Sequence, residues 1–252
     1  MPVSAASSTN CKQRKRGSAV RRFGLIGGLS WHSTVGYYTT LNQRVNERYG
    51  DNTNPPLRLV SLNQKQIHDL QRADDWDAIA DILIEAAREL QALGVEGMAL
   101  CANTPHKVFE PLSRAVACPI IHIADAIGAP LAQAGLHKVG LLGTRFTMSQ
   151  DFIKGRLLAQ HQLQTLVPDA HEQQEMQERI YNELVVGAFN ASTRAFCLEM
   201  IDSLAKQGAE AVILGCTELP LLLQGVSSPI PLVDSLQCHC EAIARYIMQE
   251  AD

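Results

Sequence analysis

Two short stretches of the sequence carry side chains that could transfer protons. "LCANTPH" spans residues 100–106, and "LGCTELP" spans residues 214–220. When the two stretches are superimposed, Ala102 falls at the position of Cys216. A cysteine in a suitable environment ionises to a thiolate, which can remove a proton that the thiol can later return. At this matched position, one stretch therefore has a thiol and the other has a methyl group.

The surroundings of Cys216 suggest how this thiol would be ionised. Cys216 ends an apolar run and precedes Thr217 and Glu218, which could begin a helix. The start of a helix favours an anion, so we expect a thiolate to be favoured here. A contribution of about 1 kcal/mol would raise the ionised fraction at pH 7 only from roughly 3% to roughly 15%. The alternative is that Cys216 is simply a small buried residue.

Polar residues beside both stretches could hold a substrate. Asn103, Thr104 and Thr217 could bind an α-carboxylate, or the enediolate that develops from it, although such residues are also common in turns. Glu218 could bind a substrate ammonium group, orient Cys216 or cap a helix. His106 could take part in the chemistry, but a single histidine is more often a hydrogen-bonded structural residue.

The chain places these residues at the ends of alternating strands and helices. "FGLIGGLS" predicts a strand and a glycine loop, in which Gly28 and Ser30 would allow a ligand to approach the backbone, followed by a helix capped by Ser33. Apolar spacing predicts a helix over about residues 79–93. Further strands are predicted at "LRLVSL", "EGMALC", "CPIIHI" (118–123), "KVGLLG" and "EAVILG". This alternation is typical of βαβ units with parallel sheets.

The chain also repeats itself. "FGLIGGLSWHST" (23–34) matches "VGLLGTRFTMSQ" (139–150), and residues 90–106 match residues 204–220. We therefore predict two similar parallel-sheet α/β domains related by a pseudo-two-fold axis, with the active site in the cleft between them. The expected boundaries are a disordered basic tail at 1–21, a first domain at 22–121 plus 229–252, and a second domain at 122–228.

Charge and composition limit the classes of partner. The first 22 residues carry six basic and no acidic side chains, whereas the rest carries 16 basic and 26 acidic ones. The tail lacks aromatic residues and a clear amphipathic repeat, so we expect no nucleic-acid partner. No apolar run would span a membrane. Seven irregularly spaced cysteines without a CxxC pair favour a reducing cytoplasm over a disulfide framework. Cys238, His239 and Cys240 could suggest a metal site, but zinc sites need wider ligand spacing and more ligands, so we expect no metal.

Four motifs carry a resemblance to a known family. "GLIGGLSWHST", "CANTPHKV", "GTRFTMSQDF", which contains Thr144, and "GCTELPLLL" occur in the order found in the cofactor-independent aspartate/glutamate racemase superfamily. The sequence is most similar to the enterobacterial aspartate/glutamate-specific type over about residues 22–250. The resemblance implies two α/β domains, no cofactor, an amino-acid substrate and a homodimer. It also implies a cysteine from each domain, on opposite faces of the substrate Cα.

The chain departs from that family pattern at two positions. Ala102 stands where two-cysteine members have the first thiol and the enterobacterial type has threonine, and alanine cannot transfer a proton. Cys101 is adjacent, but neighbouring strand residues point to opposite faces, so we expect it to face the core. Val186 falls where many members have a carboxylate-binding lysine, which argues against an acidic substrate side chain. Asn63 matches a family position that could contact that side chain.

Three functions remain open on the sequence. The first, which we favour, is an amino-acid racemase or epimerase in which Cys216 serves one face and a water, Cys101 or a hydroxyl serves the other. The second is a single-cysteine carbanion enzyme such as a decarboxylase, which needs only one proton donor. The third is a cleft that binds an amino acid without turnover. No nucleotide, flavin or pyridoxal phosphate motif is found, so we expect no cofactor.

Overall fold

The structure is a computed structural model in which residues 20–250 are described. Its strands are β1 (Phe23–Gly27), β2 (Leu57–Ser61), β3 (Gly97–Leu100), β4 (Lys138–Gly143), β5 (Gln164–Leu166), β6 (Ala211–Gly215) and β7 (Leu232–Asp234). Its helices are α1 (Trp31–Tyr49), α2 (Gln64–Arg72), α3 (Trp76–Ala92), α4 (Phe109–Arg114), α5 (Ile123–Gln133), α6 (Arg145–Ser149), α7 (Asp151–His161), α8 (Ala170–Asn182), α9 (Ala191–Lys206), α10 (Leu219–Leu222) and α11 (Ser235–Met248). Short 3-10 turns span Thr104–Val108 and Leu184–Val186.

The strands form two parallel sheets. The first has the order β2-β1-β3, and the second has the order β5-β4-β6-β7. Every strand pair in both sheets is parallel. The predicted α/β class is therefore confirmed. The predicted strand at 118–123 is wrong, because only Ile120 forms an isolated bridge, to Met98, before His122 begins the turn into α5.

The repeated sequence corresponds to repeated local structure. β1 and β3 are neighbours in the first sheet, as β4 and β6 are in the second. The backbone N–H of Glu96 donates to the carbonyl of Arg22 at 2.8 Å, and that of Glu210 donates to the carbonyl of Lys138 at 2.8 Å. The matched glutamates thus tie equivalent strands together at the same point in each half.

The expected domain boundary at residue 229 does not follow the sheets. β7 pairs with β6, so residues 232–234 lie in the second sheet rather than in the first domain. The following helix, α11, does pack on the first half, where Leu236 and Ile243 share an apolar cluster with Leu25 and Tyr37. The backbone therefore crosses between the halves at Asp234, the residue that caps α11.

Two local predictions at the start of the chain need correction. The first long helix begins at Trp31 with Ser30 as its N-cap, rather than after Ser33, because the Ser30 hydroxyl accepts from the Ser33 N–H. Arg21 belongs to the folded part, since its N–H donates to the Ile247 carbonyl at 2.9 Å. Residues 1–19 of the predicted basic tail lie outside the described part of the chain. Between residues 20 and 250, no helix combines the length and apolar character needed to cross a bilayer.

Candidate active site

One cavity lies beyond the carboxyl ends of strands from both sheets, where parallel sheets bind ligands. β1, β3, β4 and β6 each run into a loop that contributes to it. The cavity encloses about 70 Å³. Its walls are Leu29, Ser30, Ser33, Gln64, His68, Gln71, Ala102, Asn103, Thr104, Pro105, Thr144, Ile180, Tyr181, Val185, Gly215, Cys216, Thr217 and Glu218.

Cys216 lies on the wall of this cavity, directly after β6. Its Sγ donates a hydrogen bond of 2.9 Å to Oε2 of Glu218. The Thr217 hydroxyl donates to the same oxygen at 3.0 Å. Glu218 is only 6% exposed, so its carboxylate is held among these two donors with little access to water. Of the roles considered for Glu218, contact with Cys216 is the one that these hydrogen bonds support.

The expectation of a helix start that favours a Cys216 thiolate is wrong for this conformation. The pKa of Cys216 is raised well above its usual value, first by burial and then by the neighbouring charge of Glu218. The helix that follows, α10, has four residues and begins only after Glu218, so little dipole acts on the sulfur. The resting form is therefore a thiol that donates to a carboxylate.

The residue matched to Cys216 presents a methyl group to the same cavity. Ala102 lines the wall and brings no group that can transfer a proton. Cys101 is fully buried in the cluster that contains Phe23 and Tyr37, and burial raises its pKa. The prediction that Cys101 faces the core agrees with this position. Cys101 is not a wall residue of the cavity.

Asn103 connects the two halves through a hydrogen-bonded serine. Its Nδ2 donates to Oγ of Ser235 at 3.2 Å, and that hydroxyl donates to the Leu214 carbonyl at 2.7 Å. Ser235 is fully buried, and Leu214 lies two residues before Cys216. The loop of the first half is thereby held at a fixed spacing from the loop that carries the thiol.

Hydroxyl groups line another part of the wall. Thr104 and Thr144 approach with their Oγ1 atoms 3.4 Å apart. Thr144 also lies 3.1 Å from the Thr147 hydroxyl and caps α6. The two predicted residues Thr104 and Thr144 thus lie together, one from each half.

His106 supports the loop from behind rather than lining the cavity. Its Nδ1 lies 3.0 Å from the Ala102 carbonyl and 3.1 Å from the Asn103 carbonyl, while the N–H of Ile123 donates to Nε2. Carbonyls only accept hydrogen bonds, so we assign the proton to Nδ1. Burial and the adjacent ring of His122 lower its pKa well below the usual value, so the ring is neutral.

Two residues near the first sheet that were predicted to contact the substrate, Gly28 and Asn63, have structural roles in this conformation. Gly28 has φ +72°, and a Cβ there would lie 2.1 Å from the Leu62 carbonyl oxygen. Asn63 is exposed and uses its side chain to accept from the Lys65 N–H at 3.0 Å, as the N-cap of α2. Neither residue lines the cavity, although Ser30 does. Asn63 is turned away because a capping side chain points at its own helix.

Sequence reasoning missed one wall of the cavity. Gln64, His68 and Gln71 occur at spacings of four and three on α2, so they share one face of that helix. Tyr181 and Val185 lie on the same cavity, with the Tyr181 ring 5.5 Å from that of His68. The sequence signal for this wall was the helical spacing of the polar residues at 64, 68 and 71. An analysis of apolar periodicity does not consider polar residues. Val186, the position matched to a family lysine, is 72% exposed and is not a wall residue.

The arrangement of possible metal ligands among the described residues bears on whether the protein holds a metal ion. Between residues 20 and 250, no group of three or more histidine, cysteine, aspartate or glutamate side chains is arranged to hold a metal ion. The sequence-based expectation that the protein uses no metal and no organic cofactor stays a prediction.

Comparison with known proteins connects this site to a family. The family model for Asp/Glu/hydantoin racemase matches residues 26–243. A candidate Asp/Glu racemase from Yersinia pestis has a similar crystal structure, with a TM-score of 0.86, 37% identity, and coverage of 91% of this chain and all of that one. An aspartate racemase homologue from Pyrococcus horikoshii gives a TM-score of 0.78 and 32% identity, with 91% and 100% coverage.

A curated relative extends the comparison. The Bacillus subtilis broad specificity amino-acid racemase RacX is 25% identical over 236 residues, which are 90% of this chain and 99% of RacX. The family match and these similarities agree with the parallel α/β architecture and with the four motifs read from the sequence. The chain therefore belongs to the Asp/Glu/hydantoin racemase family of isomerases.

Proposed function

We propose that this protein is a cofactor-independent amino-acid racemase in which Cys216 transfers the proton at the substrate Cα. The observation that carries the proposal is the 2.9 Å hydrogen bond from the Cys216 thiol to Glu218 on the wall of the cavity. A thiol needs a base before it can accept a carbon-bound proton, and Glu218 is that base. Membership of the racemase family supplies the reaction class.

The first step of the proposed reaction moves two protons. The Cys216 proton passes to Glu218, and the resulting thiolate removes the substrate α-proton. The electron pair of the broken C–H bond moves into the α-carboxylate, which becomes an enediolate. Asn103 lines the cavity and keeps a second amide proton beside the one that it donates to Ser235, so it is available to donate a hydrogen bond to this developing charge.

The proton donor on the opposite face of Cα determines whether the substrate is inverted or only exchanges its α-proton. Ala102 provides no acid there, so the second proton comes from a water molecule or from a hydroxyl such as that of Thr104 or Thr144. The hydroxide or alkoxide left behind regains a proton from Glu218 through water, which restores the carboxylate. Return of a proton from Cys216 restores the original enantiomer, whereas delivery from the other side inverts it. We therefore expect solvent exchange at Cα to be faster than inversion.

Solvent exchange and chirality measured together test this proposal. A single enantiomer is incubated in D₂O with the wild type or with Cys216→Ala, and loss of the Cα–H signal is followed by NMR beside chiral chromatography. Exchange with slower inversion, both lost in the variant, supports the proposal. Equal exchange in the variant, or none with any amino acid, overturns it.

A second candidate is a single-cysteine decarboxylase. Part of the cavity wall is apolar, formed by Leu29, Ile180 and Val185, and an apolar pocket would favour loss of a carboxylate as CO₂. Such a reaction also needs a proton donor on one face only. CO₂ release from a substituted malonate, dependent on Cys216, would favour this alternative over the racemase.

We also propose a cytoplasmic homodimer. The cysteines between residues 20 and 250 are free, which is consistent with a reducing compartment. Trp31, Val35 and Tyr38 form an exposed apolar stripe on α1, and a second copy of the chain would cover it. A molar mass near twice 27.6 kDa by light scattering, reduced by Val35→Lys, would support the dimer.

A further inference from the structure

The wall formed by α2 contains a largely buried glutamine whose side-chain amide has no hydrogen-bond partner among the described residues. Gln71 is 5% exposed and lines the cavity. Its side-chain amide makes no hydrogen bond within residues 20–250, and its nitrogen and oxygen are not among the fully buried atoms without a partner, so they reach the open space of the cavity. The cavity is the remaining side from which a partner can approach, so a ligand group would satisfy this amide.

Neighbouring groups on the same helix face are also free to bind. His68 forms a ring contact with Tyr181 but no hydrogen bond within residues 20–250. Gln64 accepts from the Trp31 N–H through Oε1, which leaves its Nε2 available as a donor. The α2 face therefore offers amide donors and acceptors and an imidazole, on the wall that the reacting loops do not form.

The charges around the cavity limit the substrate further. Glu218 is the only aspartate or glutamate among the described wall residues, and no lysine or arginine is among them. Burial is the main cause that lowers the pKa of His68, so this ring is neutral near pH 7. A second carboxylate on the substrate would thus enter a cavity that holds one anion and no cation.

The arginine on α2 is held elsewhere. Arg72 affects the charge state of His68 and Tyr181, so it lies within electrostatic range of them. Its side chain is 65% exposed, and its Nη2 donates to Asp69 at 2.5 Å. Asp69 also accepts from Lys65, so the three side chains form a surface network on the outer side of the helix.

We infer that the α2 wall selects an amino acid whose side chain is uncharged and hydrogen-bonding, a carboxamide or a hydroxyl, with Gln71 as its main contact. This inference rests on the proposed racemase function and names the substrate class of the same site.

A substrate panel tests the inference separately from the reaction itself. Cα–H exchange in D₂O is measured for asparagine, glutamine, serine, threonine, aspartate, glutamate, alanine and leucine. We expect the carboxamide or hydroxyl members to exchange at least about tenfold faster than aspartate, glutamate and leucine, the discrimination of about one hydrogen bond. Faster exchange of an acidic or an apolar member overturns the substrate class but leaves the racemase standing. No exchange by any member contradicts the racemase and removes this inference with it.

Matched variants on α2 test the role of Gln71. Gln71→Met keeps the side-chain length and removes the amide, while Gln66→Met makes the same change at an exposed position outside the cavity. We expect Gln71→Met to lower kcat/KM for the best polar substrate about tenfold and to leave alanine within about twofold. Gln66→Met is expected to leave both unchanged. Equal losses for polar and apolar substrates in Gln71→Met overturn the assignment.

A third variant tests whether Arg72 turns inward. Arg72→Gln removes the positive charge and keeps an amide at the end of the side chain. We expect its substrate profile to match that of the wild type. Selective loss of aspartate or glutamate exchange in this variant would show that Arg72 binds an acidic side chain, and would overturn the inference.

Discussion

The thiol of Cys216 donates to the carboxylate of Glu218 across 2.9 Å at the wall of a cavity built from both halves of the chain. In the proposed mechanism, this pair lets a buried cysteine with a raised pKa accept a proton from carbon. Its proton has a receiver two residues away, so ionisation needs no exchange with bulk water. The matched position in the other half, Ala102, has no such pair.

Replacement of the Glu218 carboxylate separates its effect on the pKa of Cys216 from its role in catalysis. In Glu218→Gln we expect the pKa of Cys216 to fall, because a negative neighbour is lost, although burial still holds it above the usual value. We expect kcat to fall by about 10²–10³, because the thiol proton has no base. Peptide-resolved alkylation against pH reports the first effect, and steady-state kinetics report the second. Wild-type kcat in this variant would show that Glu218 is not the base.

A second thiol is expected to change the stereochemical outcome. Ala102→Cys places an acid/base group at the position matched to Cys216, whereas Ala102→Ser adds a weaker acid of similar size. We expect the ratio of inversion to exchange to rise at least about tenfold in Ala102→Cys, and less in Ala102→Ser. Chiral chromatography and NMR exchange on the same samples give this ratio. If it is unchanged, Ala102 does not face the second side of Cα.

The hydrogen bonds that join Asn103, Ser235 and Leu214, here called the Ser235 bridge, are expected to position the loops that carry Asn103 and Cys216. Ser235→Ala leaves the Asn103 amide and the Leu214 carbonyl without this partner, which costs about 1–3 kcal/mol of unfolding free energy. We expect kcat to fall about tenfold, with a smaller effect in Ser235→Thr, which keeps the hydroxyl. Urea unfolding and kcat are compared in both variants. A loss of stability with unchanged kcat and KM would limit the bridge to folding.

Buried histidines are expected to make stability depend on pH. Burial lowers the pKa of His239 from 6.5 to about 4 and that of His122 from 6.5 to about 2. The unfolded chain takes up protons below pH 6.5 while the folded protein does not, so stability is full above that pH and is lost as pH falls towards 4.

The variant His122→Asn tests this pH dependence. Asparagine can keep the cap at the start of α5, where His122 accepts from the Ala124 N–H, but it does not titrate. We expect the free energy of unfolding to decline less between pH 7.5 and pH 5 in this variant than in the wild type. Urea titrations at both pH values give the comparison. Equal declines would mean that His122 contributes nothing to the acid sensitivity.

The sequence predicted the elements of the fold better than the contacts of the site. Strand, glycine and helix patterns located β1, β3, β4 and β6, because local hydrophobic order decides these elements. The supposed strand at 118–123 failed because a short apolar run does not reveal whether a partner strand lies beside it. β7 was assigned to the wrong half for a related reason, since sheet membership depends on distant pairing.

Side-chain direction explains the remaining differences at the site. Cys216, Thr217 and Glu218 were found because they follow a strand in a repeated motif. Asn63 was expected in the cavity, but its role as a cap turns it towards α2, and Gln71, two turns further along, reaches the cavity instead. Which of these side chains faces the cavity depends on rotamers and packing, and sequence spacing alone does not determine either.

The rate of Cα–H exchange in D₂O tests the central assignment most directly. The measurement uses the best substrate of the panel with the wild type, Cys216→Ala, Cys216→Ser and Cys118→Ser, which removes a thiol outside the cavity. We predict that exchange is lost in Cys216→Ala, falls by at least about 10² in Cys216→Ser, and is unchanged in Cys118→Ser. Exchange at the wild-type rate in a folded Cys216→Ala protein would contradict the assignment of Cys216 as the group that moves the α-proton.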